Sequence, residues 1–367
     1  MEAGVKPQIT IIGLGLMGGS LGLALVKKGL TVCGWDADPA VIAEAYRMGA
    51  ISRQPTDFAD ALAGAAYVFI ATPVALIAPM IWDCLPLTAP GTVFSDLGSI
   101  KGRIITEVMA FLSPDYYYVP GHPMTGSERC GINAADPFLF ENAAYIIIED
   151  PRIPRTVSER VTALIKMTGA QIITLTAAEH DRIVGMVSHL PHLVAAVLAE
   201  TAGLAEKVQP GTLALAAGGF RDTTRIATGS PQLWEGIIRG NRECILEAIT
   251  AFEAQLEQVR RMVAADDTEG LRSFLAAARE VRLQIPAKNK GFLSLLYEMV
   301  VAIEDRPGTI EEILHYLAQA ELNIKDIEIL RIREGEGGTL RLAFENDAAV
   351  EQAAAILTDC GFKAWRR

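Results

Sequence analysis

Four short runs of this chain carry residue types that could do chemistry together. The first is Gly13-Leu14-Gly15-Leu16-Met17-Gly18. Gly13 permits a tight turn, Gly15 lets the backbone approach a pyrophosphate, and Gly18 lets a helix pack closely on a strand. Leu16 and Met17 open that helix, whose free N–H groups and positive dipole end attract phosphate. Asp36 stands 18 residues past Gly18, where a carboxylate can accept hydrogen bonds from ribose hydroxyls. No arginine follows in Gly34-Trp35-Asp36-Ala37-Asp38-Pro39. A 2′-phosphate would meet two carboxylates there, so charge favours NAD over NADP. Thr72-Pro73 would lie at the edge of the sheet where such ligands sit.

The second run pairs Asp96-Leu97-Gly98-Ser99-Ile100-Lys101 with Gly121-His122-Pro123-Met124-Thr125-Gly126-Ser127-Glu128. His122 sits between glycine and proline, not on an apolar helical face. A histidine at the mouth of a nicotinamide site is a natural base for a hydroxyl that becomes carbonyl-like as hydride leaves. Ser99 could hold the same hydroxyl or orient the imidazole, although serine after glycine is also a common helix cap. The third run is Ser188-His189-Leu190-Pro191-His192, two histidines on one helix face. Without an H-E-x-x-H spacing or a third ligand nearby, a metal is not expected. The fourth run holds Arg221, Asp222 and Arg225, then Ser230-Pro231-Gln232-Leu233-Trp234. A guanidinium fork in a Gly- and Thr-rich segment suits carboxylate recognition.

Elements must bring these runs together. Apolar runs over 8–12, 31–35, 67–71, 92–96, 116–119, 144–149 and 171–175 predict strands. Helical patterns between several of them predict a doubly wound, mostly parallel sheet, a Rossmann-type α/β dinucleotide-binding domain over 1–176. Residues 177–285 become all-α, beginning with one helical run over 177–207, and are read as a substrate and dimerisation domain. There Ile245, Ile249, Phe252, Leu256, Val259 and Val263 step by four and three along one helix face. Such a seam could bury against its own domain or against the same helix of a second subunit, and a homodimer is favoured. The stretch 284–291 reads as a linker. Residues 295–367 follow strand, helix, strand, strand, helix, strand, with a turn over 335–338. That order predicts an α+β ferredoxin-like unit.

Composition narrows the function classes. The 367 residues carry 33 Lys and Arg against 44 Asp and Glu, a net charge of −11. An acidic chain is a poor partner for nucleic acid or an anionic membrane. Cys33, Cys84, Cys130, Cys244 and Cys360 are scattered and odd in number, which suits a reducing cytoplasm. Residues 9–26 lack any charge, but five glycines interrupt them, so neither a span nor a signal is expected.

The runs GLGLMGGS, DLGSIK, GHPMTGSE, SHLPH and GGFRDTTRIA followed by SPQLW, in that order, resemble the prephenate/arogenate dehydrogenase family of tyrosine biosynthesis. The resemblance spans about residues 8–285. It implies NAD-dependent oxidative decarboxylation of prephenate to 4-hydroxyphenylpyruvate, or, as the sibling reaction, conversion of arogenate to tyrosine. It also implies His122 as catalytic base assisted by Ser99, and Arg225 gripping a substrate carboxylate. Asp222 would position its neighbours, His189, His192 and Trp234 would line the pocket, and Glu128 would gate it or read the side chain. The last block, with Asp305-Arg306-Pro307-Gly308 and Leu322-Asn323-Ile324, resembles an ACT domain. That implies an amino-acid effector, tyrosine, held near Asp305, Arg306, Pro307, Gly308 and Asn323; a purely structural module is the alternative. A β-hydroxyacid dehydrogenase fits the GHPM and RDTTR runs poorly, and a non-catalytic sensor of NAD and amino acids has no need of them.

Overall fold

A computed structural model describes residues 8–126, 129–285, 297–304, 306–333 and 337–366. It divides into two compact units, residues 1–291 and 292–367, each with its own sheet. In the first, seven strands stand in the order β2-β1-β3-β4-β5-β6-β7. They are β1 Gln8–Ile12, β2 Val32–Trp35, β3 Ala65–Ile70, β4 Val93–Asp96, β5 Tyr117–Pro123, β6 Ala144–Ile148 and β7 Gln171–Leu175. All neighbours pair in parallel except β5 with β6. All seven predicted strands are present.

Because alternate side chains of a strand point to opposite faces, the sheet has a core on each side. Ile9, Ile11, Tyr67 and Phe69 join one, and Ile12, Val68, Ile70 and Phe94 the other. The strand order reverses between β1 and β3, which pair in parallel with Ile12 beside Ile70. The crevice beyond the carboxyl ends of strands at such a reversal is where α/β sheets bind ligands. Every site run except those of the helical part leaves the sheet at that edge. The uncharged stretch 9–26 is explained here, since it splits into β1 and the helix Leu16–Lys27. Gly13 turns between them at φ +90°, and a Cβ on Gly18 would lie 1.9 Å from the Gly13 carbonyl oxygen. Helix and turn therefore touch backbone to backbone.

The helical part departs from its predicted single run. Ala177–Val184 and Leu190–Val208 are joined by a π-helical turn over Gly185–His189. Pro191 has no N–H to offer the carbonyl four residues back, and a wider turn absorbs the missing bond. Among the described residues, Ala177–Val208 is long and apolar enough to cross a membrane. Yet it buries His180, Asp181, His189 and His192, and these face the site described below. The seam lies on the helix Arg242–Ala264. Ile245 is buried, whereas Phe252, Leu256 and Val263 are exposed in the single chain.

The second unit has β8 Tyr297–Ile303, β9 Asp326–Arg333, β10 Gly337–Phe344 and β11 Ala364–Arg366, in the antiparallel order β11-β8-β10-β9. Met299, Val301, Leu340, Leu342 and Phe344 pack against Ile313, Leu317, Val350 and Leu357 of its two helices. This is the predicted βαββαβ order. The linker over 284–291 and Gly335 of the hairpin turn fall largely outside the described residues.

Gly18→Ala should lower stability by about 1–3 kcal/mol through overpacking, although alanine favours a helix by about 1 kcal/mol. A urea midpoint at or above that of the parent chain would show that the helix and the Gly13 turn have room to part.

Candidate active site

The nucleotide side of the crevice is built from strand ends. Gly13 N–H donates to Trp35 O at 2.8 Å and Ala71 N–H to Ile12 O at 2.7 Å, which brings the turns after β1, β2 and β3 level. Asp36 Oδ2 accepts from Leu14 N–H at 2.8 Å and Oδ1 from Asp38 N–H at 3.1 Å, holding the carboxylate against the glycine turn. The helix Leu16–Lys27 starts at Gly15 with no side-chain cap, so its first N–H groups remain available. A Cβ on Gly15 would meet nothing within 4 Å, and the buried Thr72 hydroxyl has no partner. An uncapped helix end, open space and an orphaned hydroxyl together fit the pyrophosphate of a dinucleotide.

That turn opens on a cleft of about 510 Å³ lined by Gly15, Leu16, Met17, Thr72, Pro73, Ser99, His122, His189 and Trp234, among others. His122 is only 8% exposed. Its Nδ1 lies 2.8 Å from His180 Nε2, and His180 Nδ1 lies 2.8 Å from Asp181 Oδ1. The carboxylate can only accept, so His180 donates through Nδ1 and accepts through Nε2. His122 therefore donates through Nδ1, and its Nε2 is left with a lone pair. Asp181 is itself held by two backbone donors, Lys101 N–H to Oδ1 and Gly102 N–H to Oδ2, each at 2.8 Å. These amides begin the helix Gly102–Met109, whose positive end favours a negative charge.

The electrostatics follow from burial. Desolvation pulls His122 well below the ordinary imidazole value, with smaller downward pushes from His180, Lys101 and His189 close by. Burial also lowers His180, against the pull of Asp181. For Asp181 burial acts upward, but the bonds from His180, Gly102 and Lys101 outweigh it and the carboxyl titrates low. Lys101 is completely buried and ion-paired with Asp96, and its ammonium donates to Gly121 O at 2.6 Å. Asp96 Oδ2 accepts from Tyr118 O–H at 2.6 Å. The residue before His122 is thus tied by its carbonyl to a buried ion pair.

The opposite wall is helical. Trp234 lies flat on His192, with ring centroids 3.5 Å apart and planes 11° apart, and edge-on to His189 at 6.1 Å. Asn241 Nδ2 reaches both Asp181 O at 2.7 Å and His189 Nδ1 at 3.1 Å.

Not every expected residue meets here. Gly13 and Gly18 shape the turn from beneath, and Asp36 stands beside it. His192 supports the wall through Trp234. Asp222 and Arg225 are exposed and outside the cleft lining; Arg225 opens the turn Arg225–Thr228 that leads into Gly229 and Ser230 of the lining, and it is engaged in another contact. Glu128 and Asp305 lie outside the described residues. Sequence reasoning gave no role to Asp96 and Lys101, the two ends of the DLGSIK run, and passed over His180, Asp181 and Asn241. The available signal was a His-Asp pair on the apolar side of the helix that leads into the SHLPH run.

Comparison with known proteins places this arrangement. The family model for prephenate dehydrogenase, nucleotide-binding domain, matches residues 21–174, and that for prephenate dehydrogenase, dimerization domain, matches 176–277. The prephenate dehydrogenase of Bacillus subtilis (strain 168) is 34% identical over 349 residues, covering 94% of this chain and 93% of the relative. Among solved structures, a prephenate dehydrogenase from A. aeolicus in complex with hydroxyphenyl propionate and NAD+ aligns at 26% identity and a TM-score of 0.73, over 78% of this chain and all of that one. Synechocystis arogenate dehydrogenase aligns at 26% identity and 0.66, over 76% and 99%.

A step that uses His122 as free base should persist in acid. Its pKa is displaced below the imidazole value of 6.5, so the neutral form survives as pH falls through that value and is lost only lower. The acid limb of kcat/KM is expected below pH 6.5; a midpoint at or above it would remove His122 from that role.

Proposed function

The chain belongs to the prephenate dehydrogenase family, and on that premise we propose that it oxidises prephenate with NAD, releasing CO₂ and 4-hydroxyphenylpyruvate. The observation that carries this reading is the run from Asp181 through His180 to His122, ending in an unprotonated nitrogen on the cleft that the glycine turn also lines.

Each residue has a definable task. His122 Nε2 accepts the proton of the C4 hydroxyl, and the resulting imidazolium is stabilised through His180 by the fixed charge of Asp181. When bound, NAD supplies the acceptor for the hydride that leaves C4. Loss of the C1 carboxylate as CO₂ then completes an aromatic ring, which makes the sequence irreversible. Ser99, on the lining, would share the substrate hydroxyl with His122. Gly15, Leu16, Met17 and the Thr72 hydroxyl would receive the pyrophosphate, Pro73 would lie beside it at the sheet edge, and Asp36 would take the ribose, which favours NAD over NADP. Trp234, stacked on His192, gives the ring a flat wall. Arg225 would take a substrate carboxylate by exchanging its present contact, with Asp222 one helical turn away.

The exposed Phe252, Leu256 and Val263 support a homodimer through the seam, because apolar rows of this kind are normally covered. The five free cysteines suit a reducing cytoplasm. The C-terminal unit reads as an ACT-type sensor of tyrosine. In support, Gly308 at φ +93° starts the helix Thr309–Gln319, Asn323 is exposed nearby in sequence, and the Bacillus match is too long to end before this unit.

His122→Asn should cut kcat about 100-fold or more while KM changes little, with NADH formation from prephenate as the assay and arogenate and NADP as parallel arms. Turnover near that of the parent chain would refute the base, and turnover of arogenate alone would move the substrate. Tyrosine should raise the melting temperature of the full chain more than phenylalanine does; equal or absent shifts would leave the unit structural.

A further inference from the structure

His189 is 1% exposed, lines the cleft, and has no partner at Nε2. Its polarity can be deduced from what stands behind it. Asn241 is buried, and its amide nitrogen lies 2.7 Å from the Asp181 carbonyl oxygen. Were that amide turned round, two acceptor oxygens would face each other at this distance, so the NH₂ must point there. Its second hydrogen then meets His189 Nδ1 at 3.1 Å, and Nδ1 must accept. Burial holds His189 neutral, with a pKa of about 4. The single ring proton of His189 is therefore on Nε2, a buried donor without an acceptor on a residue that lines the cleft. His122, across the same cleft, has the reverse arrangement.

We propose that Asp181 and Asn241 are positioning residues that give the two cleft histidines opposite hydrogen-bond polarity, His122 Nε2 as acceptor and His189 Nε2–H as donor. Asp181 acts in two ways at once. Its carboxylate orders His180 and through it His122, and its main-chain carbonyl orients the Asn241 amide and through it His189. The proposal's ligand clause rests on the dehydrogenase reading. The hydroxyl proton goes to His122, and the group seated on His189 is an unprotonated oxygen of the substrate anion, a carboxylate or keto oxygen. A ligand without that oxygen leaves a buried donor unmet, an asymmetry that costs more than the bond itself returns.

The polarity can be read without turnover. In protein labelled with ¹⁵N in the imidazoles, the chain's five histidines give few enough resonances to assign by single substitutions. The expected spectrum at neutral pH shows His122 and His180 as Nδ1–H tautomers and His189 as the Nε2–H tautomer. His189 protonated at Nδ1, or His122 at Nε2, overturns the proposal. Asn241→Leu should scramble the His189 tautomer while His122 stays Nδ1–H, and raise KM for prephenate roughly 10–100-fold with a smaller loss in kcat and little change in KM for NAD. Equal losses in all three parameters would mark Asn241 as merely structural and sink its role. The wild-type spectrum decides the polarity even if that variant does not fold. Correct tautomers in a protein that does not oxidise prephenate would instead refute the functional reading alone.

Discussion

The site depends on one buried carboxylate. Asp181 belongs to the helical part, yet both its oxygens are spent on backbone amides at the start of the helix Gly102–Met109, which belongs to the α/β part. A helix N-terminus leaves several N–H groups without internal partners, and here a residue 80 positions away supplies the cap for two of them. The charge is stabilised by those donors and by the helix dipole, and in return it fixes where the helical wall stands against the sheet. Any shift between the two parts would break this cap and the chain of bonds from Asp181 through His180 to His122 together, so packing and the geometry of the cleft share one constraint.

A second buried charge works beside it. Lys101 and Asp96 are both removed from solvent, and desolvating an ion pair costs more than its attraction commonly returns unless further bonds satisfy it. Tyr118 O–H, Gly98 N–H and the Gly121 carbonyl supply those bonds. The pair is thereby a rigid post under the backbone at residue 121, and its cation disfavours protonation of His122. Burial that would be a liability in an ordinary core here helps keep the His122 imidazole neutral and anchors the backbone beside it.

Much of this was legible along the chain because it is local. The strands follow from runs of β-branched and aromatic residues, and the glycine turn follows from the contacts each Cα must make. Gly18 is an example, since no Cβ fits 1.9 Å from the Gly13 carbonyl. The break over Gly185–His189 was not read from Pro191, although the missing N–H was there to see. Arg225 was grouped with His122 by resemblance, and in the single chain it stands exposed on a turn outside the lining. The seam on Arg242–Ala264 was visible as a periodic row, but periodicity alone does not say that Ile245 is buried within the chain and Leu256 is not.

Sequence by itself determined the elements, their order and the edge of the sheet at which chemistry must happen, because hydrophobic period, turn residues and strand ends act over a few neighbouring positions. Only the tertiary structure decided what His122 is. Its tautomer depends on His180, 58 residues on, and that of His189 depends on Asn241, 52 residues on. A proton's place on an imidazole is set by whichever donor or acceptor lies within 3 Å or so, and nothing in a linear chain states which groups folding will bring that close.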